Sequence, residues 1–359
     1  MDFMATRRVT LRDVARQAGV HPSTVSRALN PATREMITEE IVRRVSTTAE
    51  ALGYQPNPIA YGLKTNRSRI VGVLIPDITN PVFPPIIRAI EDALGPAGYT
   101  PILANTDNDE GRERVILENM IARRVDGLIM ATARRRDPLV ERCVAEEIPL
   151  VLINRTVATG EVSSVVNDDE FGMQLAVAHM ARCGHARIAH LAGPLDVSTG
   201  FARHRGFLKA MKAVGLKADP RLIGLCNSFS EAEGRRVFLV LRARDRRFTA
   251  VVTANDLLAV GCYDALAELG LRVGKDVAVS GFNDMPFVDK LRPPLTTVRI
   301  PHYQMGAQAA RTLLARLHDH GAPIEHVTLR PELVVRGSTG PPRKPSPHSR
   351  RQPTSKGSR

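Results

Sequence analysis

The segment GVHPSTVSRALN, residues 19–30, combines hydrogen-bonding side chains with the pattern of a short helix. Gly19 ends the preceding helix-like segment, and Pro22 suits the first turn of a new helix, where its missing N–H is not needed. Val25 and Ala28 form the apolar face of that helix. The residues off this face carry hydroxyl and guanidinium groups: Ser23, Thr24, Ser26 and Arg27. Such groups bind base edges and phosphates when a helix enters the major groove of DNA.

The preceding segment, TLRDVARQA, predicts a helix that holds this one in place. Thr10 followed by Asp13 forms a capping-box-like start. Two helices that cross steeply need a small residue at the contact, a flexible turn and an apolar residue on the second helix. The sequence supplies these in order, at Ala15, Gly19 and Val25. We therefore predict a helix-turn-helix. The alternative is a helical hairpin with a solvated face, but a third amphipathic helix, capped by Thr38 and ended by Gly53, favours the DNA-binding interpretation.

The positive charge of the chain is concentrated at its two ends. The net charge is +13, of which residues 1–69 carry +5 and residues 338–359 carry +6, while residues 70–337 carry +2. Basic ends suit a polyanionic partner, and nucleic acid is the first candidate. A solubilising surface would give the same charge, so the charge supports the helix-turn-helix interpretation without deciding it.

The sequence disfavours several classes of protein. Apolar runs stay shorter than the ~18 residues of a membrane span, and the opening segment lacks the apolar stretch of a secretory signal. We therefore expect a cytoplasmic protein without a membrane partner. The motifs of dinucleotide-binding, nucleophile-elbow and zinc-protease enzymes are absent from the sequence. The cysteines are too far apart for a zinc or redox site: Cys143, Cys183, Cys226 and Cys262. We predict no enzyme, cofactor or metal.

Residues 70–337 alternate between short β-branched runs and helical patterns, which predicts an α/β fold with parallel sheets covered on both faces. The predicted strands are IVGVLI, TPILAN, DGLIMA, PLVLIN, RIAHLAG, AVVTAN and VAVSGF. They form two sets that join near residues 160–168. The sequence therefore predicts an N-terminal all-α helix-turn-helix domain followed by two doubly wound α/β subdomains.

Polar residues follow several predicted strands, and the carboxyl ends of parallel strands form the ligand-binding edge of such sheets. These residues are Asp77, Asn105, Asp107, Asn154, Arg155, Asn255, Asp256, Asn283 and Asp284. A single Asn or Asp here is equally well a helix cap, but their repetition predicts a cleft between the subdomains. Amides, carboxylates and a guanidinium suit a polyhydroxyl ligand, whose hydroxyls both donate and accept. Phe83 offers a ring on which a sugar or base can stack.

Three ordered segments of the chain resemble one protein family. VTLRDVARQAGVHPSTVSRALN, ALGYQPNPIAYGLKT and IVGVLIPDITNPVF are similar to the lactose-repressor/galactose-repressor (LacI/GalR) family of bacterial transcription regulators, and the similarity continues to about residue 337. The resemblance implies subdomains of the periplasmic-binding-protein type and a repressor that binds a palindromic operator as a homodimer. It implies a small effector in the cleft, a sugar or sugar phosphate in most members and a purine base or nucleoside in some. It also implies a hinge helix at residues 57–63, which Asn57 caps and from which Leu63 wedges into the minor groove.

The helix pattern, the strand ends and the resemblance together give the predicted site residues. The predicted DNA-binding residues are Thr10, His21, Pro22, Ser23, Thr24, Ser26, Arg27, Asn30, Asn57 and Leu63. The predicted effector-binding residues are Phe83, Asn154, Arg155, Arg203, Asn255, Asn283 and Asp284. Arg203, in the segment FARHRGF, matches the arginine that grips the ligand. His21 stands where the family usually has a serine cap, and Asn154 and Asn283 stand where relatives often have Asp.

The predicted domains are a helix-turn-helix domain at 1–56, a hinge and linker at 57–68, a two-lobed effector-binding and dimerisation domain at 69–337, and a disordered basic tail at 338–359. The tail contains no Leu, Ile, Val or aromatic residue, so it cannot form an apolar helix seam and we expect a dimer rather than a tetramer. A secreted sugar-binding protein with the same two-lobed body is the second hypothesis, and a doubly wound enzyme the third. The helix-turn-helix and the lack of a signal segment disfavour both.

Overall fold

The computed structural model describes residues 9–30, 33–55, 67–319 and 321–342. It divides the chain into two compact units, Met1–Ser68 and Arg69–Arg359, which are described separately below. Asn57, Leu63 and the basic tail beyond residue 342 lie outside the described residues. The interpretations attached to them stay predictions.

The described part of the first unit consists of three helices around a small apolar core. The helices are α1 Leu11–Ala18, α2 Pro22–Ala28 and α3 Glu39–Ala51, with a 3-10 turn at Arg34–Met36. Val14, Val25 and Val45 are completely buried, and each comes from a different helix. Because α2 contributes Val25 to this core, its opposite side is left to the solvent, as the helix-turn-helix pattern predicts.

The helix ends of this unit follow from a few residues. The Thr10 hydroxyl accepts the N–H of Asp13 at 3.3 Å, and the Thr10 N–H donates to the Asp13 carboxylate at 3.0 Å, which confirms the predicted capping box. Gly19 has a left-handed backbone with φ 63° and makes the turn between α1 and α2. Thr38 precedes α3, but its side chain makes no capping hydrogen bond. The expectation that its side chain caps α3 is therefore wrong, and the acidic Glu39 supports the positive end of the helix instead.

The second unit contains two six-stranded sheets. Strands β1–β12 are Ile70–Ile75, Thr100–Asn105, Gly127–Met130, Leu150–Ile153, Ser163–Asn167, Ile188–Ala192, Ile223–Leu225, Ala250–Thr253, Ala278–Asn283, Thr296–Arg299, His326–Leu329 and Glu332–Val334. Helices α4–α11 are Phe83–Leu94, Glu110–Ala122, Pro138–Ala145, Asp169–Arg182, Ser198–Ala213, Glu231–Arg244, Asp256–Glu268 and His302–His318. The strand orders are β11-β5-β4-β3-β1-β2 and β12-β10-β9-β8-β6-β7. All strand pairs are parallel except β10 with β12. The two doubly wound subdomains are confirmed.

The chain passes between the two sheets three times. It leaves the first sheet after β5, at the junction expected near residues 160–168. Two later crossings were not predicted: β11 returns to the first sheet beside β5, and β12 returns to the second sheet beside β10. We call the first sheet with α4–α6 and α11 the first lobe, and the second sheet with α7–α10 the second lobe. The C-terminal part of the chain thus contributes to both lobes.

Helix α11 is held on the first lobe by a close approach to α4. Gly306 lies against the backbone of Ile86, and a Cβ at this position would overlap the carbonyl oxygen of Ile86. Ala309, Ala310 and Leu313 follow on the same helix and are completely buried. The small residue therefore allows the two helices to bury their apolar faces against each other.

Candidate functional site

The outward side of α2 carries the polar residues predicted from the sequence. Ser23 and Arg27 are exposed and Thr24 and Ser26 are half-buried. We call these four residues the α2 surface. It presents three hydroxyls, which donate and accept hydrogen bonds, and one guanidinium, which only donates. This is the chemistry needed to bind base edges and phosphates.

His21 begins the α2 surface and caps the helix. Its ring Nδ1 accepts the backbone N–H of Ser23 at 3.2 Å and lies 2.8 Å from the Ser23 hydroxyl. Because an accepting Nδ1 carries no proton, the proton of the neutral ring is on Nε2. The histidine therefore replaces a serine cap and also fixes the Ser23 side chain.

The other predicted DNA-binding residues within the described part of this unit lie at helix ends. Thr10 caps α1, and Pro22 is the first residue of α2. Asn30 follows α2, and its N–H donates to the carbonyl of Arg27 at 3.3 Å. They flank the α2 surface rather than belong to it.

A cavity of ≈ 320 Å³ lies between the two lobes, at the carboxyl ends of the strands. Six of the seven predicted effector-binding residues line it: Phe83, Asn154, Arg155, Arg203, Asn255 and Asn283. A cavity of this size accommodates a small ligand. The structure therefore brings together residues that are 200 positions apart in the sequence.

Arg203 is held in the second lobe by contacts with protein groups. Its Nε donates to Asp169 at 2.9 Å and its Nη1 donates to the carbonyl of Ala254 at 2.8 Å. Its guanidinium carbon lies 3.9 Å from the centre of the Phe282 ring. Burial raises the pKa of Asp169, and the neighbouring Arg203 opposes that rise. The arginine is thus held rigidly, with Nη2 left for the cavity.

Two asparagines of the second lobe complete this side of the cleft. Asn255 caps α10, because its Oδ1 accepts the N–H of Leu258 at 2.9 Å. Asn283 ends β9 with φ 113°, a conformation that L-residues rarely adopt. Its buried Oδ1 has no hydrogen-bond partner within the described ranges. A buried acceptor without a partner is unfavourable by ~1–3 kcal/mol, so a donor from a ligand would stabilise it.

The first lobe supplies the facing wall. Arg155 donates from Nη1 to the carbonyl of Thr132 at 3.3 Å and from Nη2 to Asn108 Oδ1 at 3.5 Å. Burial lowers the pKa of Arg155 to about 10. Asn154 precedes it with φ 63°, and Phe83 is buried at the first position of α4. The aromatic side chain of Phe83 and a set of polar groups thus line the same cavity, as expected for a site that binds a polyhydroxyl compound.

Two family models match the chain: "Bacterial regulatory proteins, lacI family" at residues 10–57 and "Periplasmic binding protein-like domain" at residues 177–339. The ribose operon repressor of Escherichia coli (strain K12) is 33% identical over 332 residues, which cover 92% of this chain and 99% of the repressor. The chain belongs to the lacI family of bacterial regulatory proteins.

Solved structures agree with this assignment. The lac repressor dimer bound to operator and the anti-inducer ONPF superposes with a TM-score of 0.82 at 27% identity, covering 93% of this chain and 100% of the other. The complex of the transcriptional regulator CelR with cellobiose gives a TM-score of 0.71 at 29% identity, covering 92% and 100%. This LacI-family protein is a transcription regulator and not an enzyme. Among the residues that the structure describes, no helix is long and apolar enough to span a membrane.

One predicted effector-binding residue of this LacI-family protein points elsewhere. Asp284 is absent from the cavity wall. Its carboxylate forms ion pairs with Arg299 at 2.7 Å and with Arg336 at 2.8 Å. Asp284 follows β9 with φ 54°, so the chain turns there and directs the side chain away from the cleft. The prediction of Asp284 as a ligand contact is therefore corrected to a structural role.

Sequence reasoning missed much of the wall of this LacI-family protein. The additional polar residues are Asn80, Thr106, Asn108, Glu113, Thr132, Arg134, Asp196, Thr199, Asn227, Ser228 and Ser230, joined by Phe229. Residues 227–230 follow β7, so recognising that short strand would have identified them. Glu113 lies inside the pattern of α5, where a charged residue is normally solvated. The sequence contains no signal that separates it from the exposed charges of the same helix.

Proposed function

We propose that this protein is a repressor that binds a near-palindromic operator as a homodimer and that a sugar or sugar derivative in the interlobe cleft controls it. One observation carries the proposal: the chain that presents the α2 surface also contains a cleft with a preorganised Arg203 and an unpartnered Asn283 acceptor. Such a regulator works where the DNA is, so we place it in the cytoplasm.

The α2 surface supports the DNA-binding half of the proposal. Ser23, Ser26 and Arg27 are available outside the core, and His21 fixes the first of them. A recognition helix of this kind reads one half-site, and a twofold dimer reads two. We propose that Asn57 and Leu63 act between the two half-sites, where an apolar wedge would open one base step.

The sheet edges support the dimer. Strands β11 and β12 lie only two residues apart, so they place one edge of each sheet on the same side of the second unit, and β2 and β7 form the opposite edges. Ile102 and Leu103 on β2 and Leu225 on β7 are exposed apolar residues. Exposed apolar edges pair with another chain unless they are covered. A second copy, arranged by a twofold axis, would cover both edges at once.

The cleft supports a sugar-like effector. Its amide, hydroxyl and guanidinium groups converge on a cavity that also contains the rings of Phe83 and Phe229. Sugars present hydroxyls at their rim and an apolar ring face, which fit these two kinds of wall. The similarity to the CelR–cellobiose complex points to the same class of ligand.

Selection of binding sites from random-sequence DNA tests the DNA-binding half. We expect the wild type to select an inverted repeat. Arg27→Ala should weaken binding to the selected site by ~1–3 kcal/mol and leave binding to random DNA almost unchanged, because a base contact is lost. Arg44→Ala, on α3, is the control and should affect both DNAs alike. A selected site without a repeat, or an equal loss on both DNAs for Arg27→Ala, would reject the proposal.

A further inference from the structure

One carboxylate on the wall of the cleft has no role in the function proposed above. Glu113 on α5 is only 3% exposed, and what remains accessible belongs to the cavity. Its Oε1 accepts the hydroxyl of Thr132. Its Oε2 receives no hydrogen bond from the residues that the structure describes. Burial raises the pKa of Glu113, and the Thr132 hydrogen bond, together with Arg134 and Arg155, opposes the rise.

The guanidinium groups of the cavity are already directed at protein acceptors. Arg134 pairs with Glu110 at 3.0 Å and with Asp196 at 3.4 Å. Arg155 donates to the carbonyl of Thr132, whose hydroxyl in turn donates to Glu113. Arg203 uses two of its three nitrogens on protein oxygens. Asp77, Asp196 and Glu113 line the cavity beside the three arginines, so the wall carries little net positive charge for a ligand.

Two acceptors on residues of the cavity wall receive no hydrogen bond from the residues that the structure describes. Glu113 and Asn283 both line the cavity, and Glu113 Oε2 and Asn283 Oδ1 receive no hydrogen bond from the described part of the chain. A ligand hydroxyl can donate to each of them. A phosphate dianion brings acceptors only, and it would add negative charge beside a buried carboxylate, where the low dielectric strengthens repulsion. Each open acceptor therefore favours a neutral ligand rich in hydroxyls.

We propose that Glu113 is a specificity-determining residue that restricts the effector to uncharged polyhydroxyl compounds and excludes their phosphate esters. The inference rests on the proposed function, because it takes the interlobe cleft as the effector site. Glu113 acts through hydrogen bonding to a ligand hydroxyl and through its charge. Thr132 fixes its orientation.

Titration calorimetry with inorganic phosphate on the full chain tests the charge of Glu113. Glu113→Gln keeps the shape of the side chain and the acceptor for Thr132 but removes the charge. We expect this variant to bind phosphate at least tenfold more tightly than the wild type. Glu113→Asp, which keeps the charge, should behave like the wild type. Glu118→Gln, on the same helix but 51% exposed, is the matched control and should also behave like the wild type.

Equal phosphate affinity in the wild type and in Glu113→Gln would overturn the inference, and so would the same gain in Glu118→Gln. A second measurement compares D-ribose with D-ribose 5-phosphate and D-glucose with D-glucose 6-phosphate on the wild type. A phosphate ester that binds more tightly than its parent sugar would also overturn it. Neither measurement involves DNA. A failure of operator control would therefore not change these binding results, and binding results that contradict the role of Glu113 would not affect the DNA-binding proposal.

Discussion

His190 lies inside the second lobe and stacks on two rings of α8. The centre of the His204 ring is 5.7 Å away and that of Phe207 is 4.3 Å away, both nearly parallel to it. Its Nδ1 donates to the carbonyl of Val252 at 2.8 Å, and its buried Nε2 has no partner within the described ranges. Burial lowers the pKa of His190 from an ordinary 6.5 to about 3. The ring is therefore neutral in the folded protein.

This histidine should make the second unit sensitive to acid. Below pH 6.5 the unfolded chain takes up a proton that the folded chain excludes down to about pH 3, so the free energy of unfolding falls as the pH falls through this window. One such group contributes about 1.4 kcal/mol per pH unit. Urea denaturation at pH 7, 6 and 5 measures this pH dependence of the free energy of unfolding. His190→Asn should reduce its slope by about that amount. Asn is chosen because its amide can still donate to the carbonyl of Val252.

His318 provides the control for this measurement. It is exposed, and its Nδ1 also bonds a backbone carbonyl, that of Leu314, at 2.8 Å. A change in the pH dependence of the same size in His318→Asn would show that the effect does not come from the buried ring. Parallel curves for the wild type and His190→Asn would show that His190 is not the acid-sensitive group.

Some of the individual site residues could be predicted from the sequence. Arg203 and Asn255 lie in short sequence motifs, and Asn154 and Asn283 lie at the ends of clear strand patterns. These signals predicted all four residues at the cleft, and all four line the cavity. Glu113 is different, because RERVILENM gives no sign of which charge faces another element. Asp284 shows the opposite error: the residue after a strand was assigned to the cleft, but its positive φ directs it to Arg299 and Arg336.

At the scale of elements, the contact between α11 and α4 depends on the absence of a side chain at Gly306. Gly306→Ala should destabilise the second unit by ~1–3 kcal/mol, because the added Cβ overlaps the carbonyl oxygen of Ile86 and backbone atoms cannot easily move. Gly95→Ala is the control, since a Cβ at Gly95 meets open space and its φ of −54° suits alanine. Thermal unfolding measures both, and equal midpoints for the two variants would contradict the packing argument.

The sequence predicted seven of the twelve strands given above and missed β5, β7, β10, β11 and β12. β1, β8 and β9 are almost entirely buried and mostly apolar, so their pattern is visible in the sequence. β7 and β12 have only three residues, and β11 is half exposed. Such segments become strands because a neighbouring strand in the folded lobe offers hydrogen-bonding partners. The two late crossings between the lobes depend on these strands, and so they were missed as well.

At the scale of the whole molecule, the exposed edges β2 and β7 predict how two copies meet. Leu225→Glu places a charge on the edge of the second sheet, where Leu225 is 54% exposed, and should weaken the dimer at least tenfold, because the charge would be buried against the partner. Sedimentation at several concentrations measures the change. Ile324→Glu, just before β11 and on the opposite edge, is the control and should leave the dimer intact. A dimer that tolerates Leu225→Glu would remove this edge from the interface.

The proposed function requires that a small molecule in the cleft controls the DNA affinity of the first unit. Arg203 is the residue on which the claim is tested, but Arg203→Ala alone would leave Asp169 buried without its partner, at a cost of about 3–5 kcal/mol. The variant should therefore combine Arg203→Ala with Asp169→Asn. Arg205, which is exposed, and Glu170, which is half-buried, form an ion pair that joins the same two helices and provides the matched control.

Fluorescence anisotropy on the selected DNA site measures operator affinity. Repeating the measurement with each of a panel of neutral sugars shows whether a ligand of the cleft changes that affinity. At least one sugar should change the operator affinity of the wild type by about tenfold, which is the size of an ordinary coupling between two sites. The same sugar should have the same effect on the control variant, which combines Arg205→Ala with Glu170→Gln. The Arg203→Ala, Asp169→Asn variant should bind the operator as the wild type does but not respond to that sugar. If the variant responds to the sugar as the wild type does, Arg203 in the cleft does not carry the control of DNA binding.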